Sequence, residues 1–335
     1  MTEGAGRLHL ATAPFAQSGL STRRLMAEVL LGTVPVIAVA TWTFGATALL
    51  VTAASALGAC GSEWALVTRA RRLGSLRDGS ALLTGVLLAL TLPPSVPLWM
   101  AFLGGAVAIV LGKVIWGGLG GNLFNPALVG RAFLQAAFPT ALTTWTEPGR
   151  GFWQLPPTTL APPLFQADVD AVTTATPLAL SKFEHVVTSA WPLLTGQVAG
   201  SLGETSGLVL IAVGLVLALR RVFDWRLPVA TLASVAALGS VLHRALPESA
   251  PPATFLLLSG GLLFGAVFMV TDPVTTPITP RGAWIFGFGV GALVVLIRLY
   301  GGLAEGVMYA ILLMNALTPH VNAWTQPRIF GGGRR

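Results

Sequence analysis

Ten apolar runs, each closed by glycine, proline or arginine, cover most of this 335-residue chain, at about 25–45, 46–67, 79–92, 98–116, 124–138, 206–219, 227–243, 254–271, 282–299 and 304–318. A chain built this way has few options. In lipid every backbone N–H and C=O must be satisfied inside the segment itself, which leaves helices for runs of this length, and a span takes about 20 mostly apolar residues. Charged residues make up 10% of the chain, against roughly 25% in a soluble domain, and mean hydropathy is +0.76. The pattern predicts an all-α integral membrane protein of about ten transmembrane helices. The net charge of +7 would suggest nucleic acid in a soluble protein, but these arginines fall in short loops between apolar runs and read as topology signals. No nucleic-acid partner is expected, and the partner implied by composition is membrane lipid.

With the N-terminus placed in the cytoplasm, the inner segments collect Arg7, Arg23, Arg24, Arg69, Arg71, Arg72, Arg77, Lys113, Arg220, Arg221, Arg226, Arg281, Arg328, Arg334 and Arg335, and the outer segments only Arg150, Lys182, Arg244 and Arg298. That asymmetry predicts both termini cytoplasmic and one long extracytoplasmic loop, 139–200. The expected organisation is a cytoplasmic segment 1–22, a polytopic membrane domain 23–320 and a cytoplasmic tail 321–335. The polar N-terminus has no apolar core of a cleaved signal peptide, so the first span is expected to direct insertion. An internal repeat supports the layout. LLTGVLLALTLPP from Leu82 lines up with LLFGAVFMVTDP from Leu262, and Gly117-Gly118-Leu119 with Gly301-Gly302-Leu303 at nearly the same offset. Five helices per repeat is an odd number, which predicts two inverted-topology halves. The third, fifth and tenth runs look short or interrupted, the places where broken helices and cofactor or ion sites are built.

One stretch does not read as membrane. Residues 170–178, DAVTTATPL, have the form of an acceptor motif, Asp-x-x-Ser/Thr-small-Ala-Thr, to which a transferase attaches FMN through a phosphoester on the last threonine, here Thr176. A β-hydroxyl flanked by small residues is accessible, and Pro177 keeps Thr176 extended. The bland alternative is a threonine-rich surface turn. Four further blocks interrupt or cap apolar runs: RDGSALLTG (77–85), GGLGGNLFNPALVGRAF (117–133), GSLGETSG (200–207) and TDPVTTPITPRG (271–282). Glycines allow close backbone approach and exposed N–H groups attract anionic or electron-rich groups, which suits a flavin ring or an ion; tight helix packing is the plainer explanation. Glu204 could orient a ring or cap its own helix. Asp272 and Arg131 are ionisable groups at membrane depth, functional candidates by default, with a turn cap and a snorkelling side chain as their ordinary readings. The lone cysteine, Cys60, excludes an internal disulfide, and the four histidines show no ligand spacing, so no metal site is expected.

These blocks, their order and their spacing, together with the ending GGLAEGVMYAILLMNALTPHVNAWTQPRIFG, resemble RnfD, a membrane component of the Rnf electron-transport complex, and less closely its counterpart NqrB in the sodium-pumping NADH:quinone oxidoreductase, from about Arg23 to Phe330. The resemblance implies a flavin-carrying subunit of an ion-translocating complex of the ferredoxin:NAD oxidoreductase type in the bacterial cytoplasmic (inner) membrane. It implies covalent FMN on Thr176, with Asp170, Thr173 and Ala175 as the other motif positions, and a second, non-covalent flavin, riboflavin, placed near the break from Asn122 through Asn125 to Arg131. Implied partners are the iron-sulfur and second flavin subunits and a flavin transferase. Thr174 stands where relatives commonly have glycine, and Leu303-Ala304-Glu305-Gly306 where they often have Tyr-Pro-Glu-Gly. Glu305 and Asp272 are the ion-pathway candidates. The rival reading is a cofactor-free transporter or channel with inverted repeats, and a weaker one is an anchor for redox subunits.

Overall fold

The computed structural model describes residues 21–68, 72–149, 151–163 and 174–327. Asp170 and Thr173 therefore lie outside the described residues. Within them the structure is helical, without strands, and helices stand at all ten predicted positions. We label α1 (Thr22–Phe44), α2 (Ala46–Leu66), α3 (Ser80–Leu90), α4 (Leu98–Val114), α5 (Pro126–Ala137), α6 (Gly207–Leu219), α7 (Arg226–Ala245), α8 (Ala253–Leu258), α9 (Leu262–Phe264, continued as a π-helical turn Gly265–Met269), α10 (Pro280–Tyr300) and α11 (Val307–Thr325). Four of these, α1, α2, α7 and α10, are long and apolar enough to cross a membrane, and α3, α4 and α6 are shorter apolar helices. The long helices present large apolar side chains outward, as does α6: Trp42 is 89% exposed and Leu219 75%. Apolar surface on this scale belongs against lipid, and the chain is a multi-pass membrane protein.

The two repeats pack alike. In the first, α2 lies along α4, and α4 along α5; in the second, α7 lies along α10, and α10 along α11. Both principal crossings depend on glycine. A Cβ at Gly105 of α4 would collide with the Ser55 carbonyl of α2, and one at Gly291 of α10 with the Thr231 carbonyl and the Ser234 side chain of α7. Small residues let backbones touch where no hydrophobic effect drives helices together. A serine of α2 and one of α7 also bond a neighbouring backbone, Ser55 Oγ to the Gly85 carbonyl of α3 at 2.8 Å and Ser234 Oγ to the Phe288 carbonyl of α10 at 3.0 Å.

At the centre are α3 and α9, the two segments that carry the repeated Leu-Leu-x-Gly. Leu83, Val86, Leu87, Leu88, Ala89 and Leu90 of α3 and every residue of α9 are buried. A helix apolar all round belongs in an interior. The predicted eighth run is split: α8 ends at Leu258, and Ser259-Gly260-Gly261 breaks it before α9. The expectation that the third, fifth and tenth runs are the irregular ones is therefore corrected in part. α3 and α5 are short, with 11 and 12 residues; the tenth, α11, is a continuous 19-residue helix through Pro319, and the break is in the eighth. Its signal was present as Ser-Gly-Gly inside an apolar run.

Two charges counted as topology signals are also reassigned. Lys113 and Arg298 are 2% and 4% exposed, held inside the protein and not at its surface.

Candidate flavin cavity and the polar groups around the helix breaks

A cavity of about 420 Å³ opens beside the Thr176 turn, within the range of about 300–1,000 Å³ usual for cofactor sites. Its wall includes Trp145, Ala175, Thr176, Gly260, Tyr309 and the charged trio Arg131, Glu204 and Glu305. Thr176 is extended (φ −69°, ψ 155°) and its hydroxyl caps the next turn, accepting from the Ala179 amide at 3.2 Å. Pro177 and Leu178 are buried behind it. Thr174, the departure from glycine, donates its hydroxyl to the Trp145 carbonyl at 3.3 Å, so the substitution ties the turn down.

Arg131 projects from α5, which starts where the Asn125 side chain accepts from the Ala127 and Leu128 amides with Pro126 in the first turn, the usual start of a helix. Its guanidinium donates to the Thr91 carbonyl at the end of α3 and to Glu305 at 2.9 Å. Glu305 in turn accepts from the Gly261 amide at 2.7 Å, at the start of α9. On the other side of the break, Arg298 of α10 donates to the Leu256 and Ser259 carbonyls at 2.6 and 2.9 Å. A carboxylate thus sits at the N–H end of the break and a guanidinium at its C=O end, as the partial charges of helix termini favour. Glu204 caps its own turn through the Ser201 amide at 3.4 Å and faces the same cavity.

A second, smaller cavity of about 60 Å³ is lined by Ser80, Lys113, Asn122, Asn125, Thr271 and Asp272, among others. Asn125 and Arg131 thus belong to different cavities, at the two ends of one stretch of α5. Asp272 caps the turn after α9, accepting from the Val274 amide at 3.2 Å and the Thr275 hydroxyl at 3.1 Å. Asn122 Oδ1 is buried without a partner among the described residues. The Asn315 side chain of α11 accepts from the Asn125 amide at 3.3 Å and donates to the Thr275 carbonyl at 3.2 Å. Arg131 and Asn315 are separated by the offset of the two Gly-Gly-Leu blocks, and each bonds a carbonyl beyond a central helix, Thr91 after α3 and Thr275 after α9. Sequence reasoning missed a third cluster, in which the Lys113 ammonium donates to Glu63 at 2.7 Å and to Ser80 Oγ at 2.6 Å, with Glu63 fully buried. A carboxylate in α2 and a lysine in α4, each within an apolar run, were its only trace.

Helical membrane proteins with broken helices facing polar cavities form a class that includes transporters and membrane redox subunits. Within that class, residues 9–331 match the NQR2, RnfD, RnfE family, and the chain belongs to it. Its relatives include the D component of the ion-translocating oxidoreductase complex of Stutzerimonas stutzeri, 41% identical over 94% of each chain, and that of Halorhodospira halophila, 38% identical over 97% of this chain and 96% of the relative. The D component of the proton-translocating ferredoxin:NAD(+) oxidoreductase complex of Clostridium ljungdahlii is 37% identical over the same shares.

Proposed function

We propose that the chain is the flavin-carrying membrane subunit of a redox-driven ion-translocating complex, with FMN joined to Thr176 by a phosphoester. The observation that carries this reading is the position of Thr176 on the wall of a cofactor-sized cavity lined by Arg131, Glu204 and Glu305. FMN, when bound, supplies one- and two-electron transfer, and the protein supplies placement, water exclusion and electrostatics. Arg131 sets a guanidinium, with its N–H donors, beside the Glu204 and Glu305 carboxylates on the cavity wall, and its second bond to Thr91 keeps it there. Trp145, Leu178 and Met308 give the wall apolar surface. The Arg131–Glu305 pair joins the break between α8 and α9 to α5, so a change of charge in the cavity acts on both repeats, a route to coupled ion movement in which Asp272 is the candidate at the second cavity.

The riboflavin implied near Asn122, Asn125 and Arg131 finds one suitable group, the unpartnered Asn122 Oδ1, which suits a ring N–H, but a cavity of about 60 Å³ does not fit a flavin ring, and no step is routed through it. We place the chain in the bacterial inner membrane with ten spans in two inverted halves, termini inside and the Thr176 loop outside, working with iron-sulfur and other flavin subunits and loaded by a flavin transferase.

Mass spectrometry of the peptide spanning Asp170 to Pro177, from protein made with the transferase, tests the reading. The expected result is the mass of FMN less one water on Thr176, absent from Thr176→Ala. An unmodified peptide from an intact native complex would favour a cofactor-free transporter.

A further inference from the structure

We infer that Lys182 is a positioning residue for the flavin: its ammonium latches the acceptor turn onto the end of α10 and so holds Thr176 against the cavity. The inference rests on the proposed flavin site and deepens it. After Thr176 the chain makes one helical run, Pro177–Ala179 continued as a π-helical turn Leu180–Glu184. From the last turn of that run the Lys182 Nζ reaches the carbonyls of Arg298 at 3.1 Å, Leu303 at 2.9 Å and Gly301. All three ammonium protons have acceptors. The Arg298 and Gly301 carbonyls are groups that the end of a helix leaves open, the Leu303 carbonyl belongs to the segment after it, and all three lie near the negative end of the helix dipole, where a cation is favoured.

A second contact fixes the other end of the run. Leu178 is 7% exposed and packs with Leu193 and Phe255; a Cβ at Gly260 would collide with its Cδ1. Gly260 has φ +63°, so the position that forms the break is also the position that admits Leu178. The turn is therefore tied at Leu178 to the break and at Lys182 to the segment Gly301–Glu305, which delivers Glu305 to Arg131. These two ties fix Thr176 relative to the Arg131–Glu305 pair. Without the lysine, the outer end of the run has no polar tie to α10 among the described residues.

Two measurements on membrane-purified full-length protein test this. Amide hydrogen exchange over residues 178–184, in protein made without the transferase, reads the latch itself; iodide quenching of the fluorescence of covalently bound flavin, in loaded protein, reads its consequence. Lys182→Met is expected to speed exchange several-fold in that run alone and to raise the quenching constant several-fold. Lys182→Gln, which keeps two donors, is expected to fall between, and Lys182→Arg to restore both readings. Unchanged exchange in Lys182→Met overturns the latch. Faster exchange with unchanged quenching overturns the positioning role, as does failure of Lys182→Arg to restore it, or loss of attachment in Lys182→Met with the acceptor hydroxyl intact. Should wild-type protein carry no covalent flavin, the quenching arm falls with the flavin reading while the exchange arm still decides the latch.

Discussion

Arg131 and Glu305 make a costly pair to break. Their side chains are 12% and 24% exposed; breaking a fully buried pair costs about 3–5 kcal/mol, and the partial exposure of this one puts its loss below that range. Arg131→Ala should therefore lower the thermal midpoint in detergent markedly, whereas Arg131→Met combined with Glu305→Met should recover much of the loss; a double variant no better than the single one would refute the pairing as the source. The Lys113–Glu63 pair, buried more deeply, should behave likewise, with Lys113→Met the sensitive single change and Lys113→Met with Glu63→Leu the compensated one. At this scale the sequence was partly legible. Arg131 announced itself as a charge in an apolar helix, but nothing in sequence order ties it to Glu305, 174 positions away. Glu63 and Lys113 were overlooked because each alone resembles an ordinary charge near a helix end.

Between elements, contact distance is set by what lacks a side chain. At Gly105 the obstacle to a larger residue is the Ser55 backbone carbonyl, which cannot rotate away as a side chain can. Overpacking costs about 1–3 kcal/mol where neighbours yield, and Gly105→Leu is expected at or above the top of that range, read as a loss of monodisperse protein after extraction. Gly260→Ala combines a positive φ with the Leu178 collision and should destabilise by more than the roughly 1–2 kcal/mol of left-handed strain alone; pairing it with Leu178→Ala should return part of the loss. Helix positions were legible because apolar runs ended at Gly, Pro and Arg. The break was harder to see, since Leu-Leu-Ser-Gly-Gly-Leu-Leu in an apolar run serves equally well as close packing inside an unbroken helix, and the groups that mark the difference, Arg298 on its carbonyls and Glu305 on the Gly261 amide, lie far along the sequence.

For the molecule as a whole, the proposed topology puts Ser189 and Arg221, both at exposed positions, on opposite sides of the membrane. In a Cys60→Ser background, Ser189→Cys should react with a membrane-impermeant maleimide from outside intact cells and Arg221→Cys only after permeabilisation; the reverse pattern would invert the assignment. The repeat that suggested this arrangement is visible in the paired crossings of α2 with α4 and α7 with α10, although the sequence could not show that Arg131 and Asn315 each bond a carbonyl beyond a central helix. The short helix α5 then acquires a mechanical meaning. It carries Asn125 at one cavity and Arg131 at the other, six residues and about 9 Å apart along its axis, bonded to Asn315 at its start and to Glu305 at its middle. Because one short helix bears both contacts, any displacement of α5 as a rigid body moves a polar group at each of the two chambers.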